Sequence, residues 1–288
     1  MFTPVFIGQQ LLNGLSFGAT LFLLASGLTL VFGLMRIVNM AHGAFYMLGG
    51  YLGIVVSALS GNLLVGLIAA IAVVGVLAFF VEFVLLRFVR GQELPEVLLT
   101  IGVSFVVADI CLWIFGGDPQ QLPADVRPQG AFTIGDFTYP WYGVFVIGVA
   151  LLVGIALAVV QSKTRVGAIV RAGVDDREMI SAMGVNIRWV FTGMFIVGAA
   201  LAAIAGTIGA GRTPILQGVQ NEVLLYALVV IIIGGLGSIA GAAVGSIAIG
   251  LIDVFAKTWI PEFAYFTVFL PMALVLVIRP QGLFGKAA

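Results

Sequence analysis

The sequence predicts an all-α fold: a polytopic transmembrane helical bundle of about eight to ten crossings with broken helices. Three observations predict it. Apolar residues make up 61% of the 288 positions, and the mean hydropathy is +1.20. Charged residues are only 9% of the chain, against about 25% in soluble domains. The apolar residues fall into long runs, not into the alternating segments of about ten residues that mark a membrane barrel. So few charges cannot cover a soluble globule. Disorder is excluded too, since it needs low hydrophobicity and high charge. A crossing needs about 20 apolar residues, so the apolar content allows about nine.

The runs lie near 7–34, 38–59, 62–86, 96–115, 141–161, 189–210, 219–236, 239–257 and 263–278. Backbone groups in lipid must bond internally, so each is read as a helix. The first run follows MFTPVFIGQQ, which lacks a basic leader, and is expected to stay as an anchor. Basic residues set the orientation. With the 162–188 loop in the cytoplasm, Arg36, Arg87, Arg90, Lys163, Arg165, Arg171, Arg177, Arg188, Arg279 and Lys286 fall inside. Only Arg127, Arg212 and Lys257 fall outside. The chain 1–288 reads as a single transmembrane domain, with an external loop at 116–140 and a cytoplasmic loop at 162–188.

Several classes drop out. Net charge is zero, with 13 basic and 13 acidic residues, so nothing suggests nucleic acid. Cys111 has no partner cysteine, and one His with no clustered carboxylates gives no recognisable metal site. No acid–base pair or nucleophile constellation points to an enzyme. There is no G-x-x-x-x-G-K-[ST] loop, so any ATP-driven step needs a separate chain.

Three segments carry the functional expectations. In LTLVFGLMRIVNMAHGAFYMLGGYLG, residues 28–53, an apolar helix ends near Met35 and another begins near Val38. Asn39 is placed as an N-cap, His42 one turn on, and Gly43 beside both. Polar residues between apolar runs suggest a broken helix, which in transporters lines a solute path. His42 is read either as a proton relay or as a neutral imidazole bonding a backbone carbonyl. The second is favoured, because a relay needs a partner. In residues 231–253, Gly234, Gly235 and Gly237 should break the helix, with Ser238 capping the restart. In residues 171–188, Asp175 and Glu178 have capping-box spacing, Met179, Ala182 and Met183 share a face, and Gly184 is a stop. The expected short amphipathic helix either rests on headgroups or docks on a partner. Glycines four apart, such as Gly14 and Gly18, read mainly as tight packing. Glu82, Asp109 and Asp253 lie in the runs but near their ends, and are read as structural, with Asp253 and Lys257 able to pair.

N-M-A-H-G-A-F-Y-M-L-G-G-Y at 39–51, R-A-G-V-D-D-R-E-M-I-S-A-M-G-V-N at 171–186, G-G-L-G-S-I-A-G-A-A-V-G at 234–245 and the closing V-I-R-P-Q-G-L-F-G resemble the permease of branched-chain amino acid ABC importers. The resemblance covers essentially the whole chain. It implies a bacterial inner-membrane permease working with a second, homologous permease. Two cytoplasmic ATPase subunits would use ATP and Mg, and an external binding protein would deliver solute. It implies that Asp175, Asp176, Arg177, Glu178, Met179 and Gly184 meet the ATPases. Asn39 and His42 would lie near the path, with the second glycine break opposite. This chain would bind no cofactor and hydrolyse nothing. The favoured solutes are leucine, isoleucine and valine. Urea, short amides and aromatic or other carboxylic acids stay open, as does an ATP-independent transporter or channel.

Overall fold

The computed structural model describes residues 3–35, 38–175, 179 and 182–285. Ten helices follow in order: α1 (Pro4–Met35), α2 (His42–Ser60), α3 (Leu63–Phe80), α4 (Glu93–Phe115), α5 (Trp141–Lys163), α6 (Arg165–Asp175), α7 (Ile187–Gly209), α8 (Val219–Gly234), α9 (Ile239–Trp259) and α10 (Ala264–Ile278). Seven, namely α1–α5, α7 and α9, are long and apolar enough to cross a membrane, while α8 and α10 are shorter. The nine apolar runs thus become seven span-length helices and two short ones. A rise of about 1.5 Å per residue leaves a 16-residue helix short of a bilayer core of about 30 Å.

α1 is the axis of the bundle. In its most apolar window 83% is buried, against 17% in α5. It packs on α9, α7, α5 and α8, while α2 packs on α7, α3, α8 and α4. Between helices in lipid, small residues and interhelical hydrogen bonds set the contacts, because no water is displaced. The sequence supplies the small residues where helices cross. A Cβ on Gly18 would lie 2.7 Å from the Ser246 carbonyl of α9. Gly49 and Gly53 of α2 meet Ala203 and Thr207 of α7, and the Thr207 hydroxyl donates to the Gly49 carbonyl at 2.9 Å. Gly241 and Gly245 of α9 meet Gly234 and Val230 of α8.

Two predicted elements differ. The 62–86 run is not one uniform helix: after Phe80 it widens into a π-turn at Val81–Leu85 and tightens into a 3-10 turn at Leu86–Phe88. Glu82 sits in the π-turn, fully buried, paired with Arg90 and accepting from the Thr192 hydroxyl of α7. The 116–140 loop is not shapeless either. It forms an antiparallel hairpin of β1 (Ala131–Ile134) and β2 (Phe137–Pro140). Further back it pairs with the segment after α7, as Gln120 and Ile215 exchange backbone hydrogen bonds of 2.9 and 2.7 Å.

The glycine contacts separate by position. Gly206→Ala puts a methyl group onto the Tyr46 carbonyl and 2.9 Å from the Gly50 nitrogen. It should cost about 1–3 kcal/mol by overpacking, seen as a lower melting temperature in detergent. Gly102→Ala, with nothing within 4 Å, should cost nothing.

Candidate functional site: two helix starts inside the bundle

α1 ends at Met35, and Val38 and Asn39 are already non-helical. The chain then turns back into the bundle before it becomes helical again. Asn39 and Ala41 are buried at 1% and 0% exposure. The depth of this turn follows from its contacts. The His42 ring Nε2 lies 2.9 Å from the Leu24 carbonyl, eleven residues or about 16 Å before the end of α1. The Met40 nitrogen donates to the Thr100 hydroxyl in α4 at 3.2 Å. α2 therefore begins well inside the protein, not at its inner rim.

The cap differs from the expected one. Asn39 does not cap α2 itself. Its Oδ1 accepts from the Ala41 nitrogen at 3.1 Å, an Asx turn, and its carbonyl accepts from the His42 nitrogen at 3.2 Å. The N-cap residue is Ala41, with no side-chain cap. Because the Leu24 carbonyl can only accept, Nε2 is the protonated ring nitrogen. Nδ1 is buried and has no hydrogen-bond partner among the described residues.

A second helix start meets the first. A Cβ on Gly43 would collide with the Gln220 carbonyl, and would lie 3.1 Å from Leu224. Gln220 is in the first turn of α8, which begins after Gly218 at φ +99°, a conformation suited to glycine. The Gln220 side chain turns back to accept from the Gly218 nitrogen at 2.9 Å. Gln217 Oε1 is buried with no hydrogen-bond partner among the described residues. The segment between α7 and α8 therefore runs inward, with Ile215 fully buried against Gly50. Sequence reasoning placed this start at 219 but missed that it meets the start of α2. Its signal was Gln217, Gly218, Gln220 and Asn221 in a row before an unusually short apolar run.

The glycine break expected opposite Asn39 lies elsewhere. Gly234, Gly235, Gly237 and Ser238 do join α8 to α9, and the Ser238 hydroxyl accepts from the Gly241 nitrogen at 3.0 Å. However, Gly237 packs on Gly33, whereas His42 packs on Gly27. Six residues of α1 separate the two levels, about 9 Å towards the inner end. There the tail covers the break: Leu283 and Phe284 nitrogens donate to the Ile233 and Gly234 carbonyls at 2.9 and 3.0 Å. Carbonyls left over at the end of α8 are satisfied this way.

In the 162–188 loop, α6 was not expected. It spans Arg165–Asp175, and the capping role expected of Asp175 involves residues outside those described. Asp176, Arg177 and Glu178 lie outside the described residues. Met179, Ala182 and Met183 are exposed, with the Met183 nitrogen bonded to the Met179 carbonyl at 3.1 Å. Gly184 follows at φ +84°, the stop expected there. Gly173 of α6 lies 3.2 Å, by its missing Cβ, from Leu34 at the inner end of α1.

Of the acids, Asp253 pairs with Lys257 at 2.8 Å and accepts from the Tyr226 hydroxyl at 2.6 Å. Asp109 is exposed on α4.

Comparison with known proteins gives this arrangement a family. Residues 10–278 match the family described as branched-chain amino acid transport system, permease component. BraD of Pseudomonas aeruginosa, named a high-affinity branched-chain amino acid transport system permease protein, is 29% identical over 96% of this chain and 95% of its own length. LivH of Escherichia coli K12, with the same description, is also 29% identical over 96% of this chain and 95% of its own. The probable LivH permease of Methanocaldococcus jannaschii is 22% identical over 97% and 93%. The solved structure of PsaBC from Streptococcus pneumoniae in complex with Fab covers 92% of this chain and 89% of its own, at 11% identity and a TM-score of 0.48, too low to argue from. Broken helices inside a multi-pass bundle, and a match that runs from the first helix to the last, lead to one conclusion: the chain belongs to the branched-chain amino acid transport permease family and is the non-catalytic membrane component of a multi-subunit transport system.

Proposed function

We propose that the chain is the permease of an ATP-driven importer that passes leucine, isoleucine and valine across a bacterial inner membrane after delivery by an external binding protein. Family membership supports the solute class. The single observation that carries the path is the meeting of two helix starts, at Gly43 of α2 and Gln220 of α8, inside the protein. Each helix start carries about half a positive charge and suits an anionic group. The unpartnered His42 Nδ1 and Gln217 Oε1 stand beside these two starts and supply an acceptor each. Asn39 holds the turn that brings α2 in. Gly234, Gly235, Gly237 and Ser238 form the inner end of the same path.

Force reaches this path from below. Two ATPase subunits hydrolyse ATP with Mg as their cofactor and meet the segment from Asp175 to Gly184, and a second, homologous permease completes the pore. Exposed Met179, Ala182 and Met183 are the contact face, since methionine adapts to a moving groove. α6 packs against the inner end of α1, so a shift of that face is felt by the helix around which the bundle is built. The ATPase cycle then biases the permease between outward-open and inward-open states.

Three outcomes test this. Proteoliposomes holding the whole complex should accumulate radiolabelled leucine only with ATP on the cytoplasmic face and binding protein outside; accumulation by this chain alone would overturn the importer. Met183→Asp should reduce ATPase co-purification and uptake together, by about tenfold or more, because it places a charge in an apolar contact. His42→Gln keeps a donor for Leu24 and should leave the pH profile of uptake unchanged between pH 5.5 and 8 (a range on the order of the usual His titration). A shifted profile would make His42 a proton carrier.

A further inference from the structure

At the outer ends of α1, α5 and α9 the chain forms a pocket of about 690 Å3. That is the size of a small-molecule site, roughly 300–1,000 Å3. The three basic residues that the charge bias placed outside, Arg127, Arg212 and Lys257, all line it. Asp253 is the one carboxylate among the lining residues, and it is already engaged by Lys257 and Tyr226.

The two arginines are held without a counter-ion. Arg127 Nη1 donates to the Gly211 carbonyl at 2.6 Å, with its guanidinium 5.8 Å from the centre of the Tyr142 ring. The Arg212 guanidinium lies near Tyr139, with Tyr142 and Tyr46 further contributing around it. Both are partly buried. Among the described residues, neither has a carboxylate within ion-pair distance. Burial pushes the Arg212 guanidinium below its ordinary value, and the nearby tyrosines oppose that. A partly buried cation without an anion has given up hydration that an incoming carboxylate restores. Gly211 and Arg212 also open the segment that runs inward to Gln217 and the start of α8, so the cavity stands at the head of the proposed path.

We propose that this cavity is an entry site for the carboxylate of the transported solute, bound by Arg212 and Arg127, so that the permease itself favours carboxylates over uncharged amides. This rests on the importer reading and narrows its solute class. A pocket of this volume walled by Phe17, Tyr139 and Tyr142 suits a small molecule, and docking of the binding protein is the outcome that the test separates from it.

The test uses the purified complex with isovalerate and isovaleramide, which share an alkyl group and differ in charge. Saturation-transfer NMR should detect isovalerate on the wild type and lose it, by about tenfold or more in affinity, in Arg127→Gln/Arg212→Gln. Isovaleramide should not distinguish the two proteins. Arg212→Lys keeps the charge and should hold isovalerate binding within about threefold of wild type, which separates a charge effect from misfolding. Equal isovalerate binding by wild type and double variant overturns the proposal. So does an Arg212→Gln complex that needs more binding protein for half-maximal leucine uptake yet reaches the same maximum, since that assigns the arginine to docking. If the wild type imports no amino acid, the importer reading fails while the isovalerate comparison still decides the site.

Discussion

Non-helical backbone inside a bilayer must find its hydrogen bonds in protein, and most of this structure follows from meeting that demand. The turn at Val38–Ala41 is tolerable only because Asn39, Thr100 and the flanking backbone take up its polar groups. The inward segment before α8 is tolerable because Gln120 pairs with Ile215 and Gln220 closes on Gly218. The end of α8 is tolerable because the tail returns to its carbonyls. Each break needs a wall of other helices around it, and α1, buried along most of its length, provides the centre to which those walls attach.

Small residues make such walls thin enough. Gly27 lets α1 approach α7 at Gly198 while leaving room for the His42 ring, whose Cε1 would be 3.0 Å from an added Cβ. Gly43 and Gln220 likewise bring two helix starts into backbone contact. Larger side chains at these points would push the helices apart and expose the very backbone that has to stay covered. Glycine therefore serves two ends here, close packing and the protection of irregular backbone.

Much of the fold was legible in the sequence, because long apolar runs in lipid have one solution. Boundaries such as α5 from Trp141, α8 from Val219 and α9 from Ile239 coincide with the hydropathy runs. Depth was not legible. Hydropathy shows that Val38 to Ser60 is apolar, but not that the helix waits until His42, level with Leu24. The same blindness hid α8's inner start, because Gln217 and Gln220 read as an ordinary loop edge. The position of the Gly234–Ser238 break depended on where the tail goes, a long-range contact between Gly235 and Gly285 that no local pattern announces. Charge was more informative than its count suggested. Arg127, Arg212 and Lys257 are far apart in the chain, and only the fold shows that their shared sidedness is also a shared cavity.

The pairing of Gln120 with Ile215 has a mechanical side. Leu122 adds a third strut, its nitrogen bonded to the Ala210 carbonyl at 3.0 Å. The 116–140 lobe is thus laced to the stretch of chain that leads to α8. Under the importer proposed above, a load placed on that lobe by a cargo-bearing protein is handed through these struts to the start of α8.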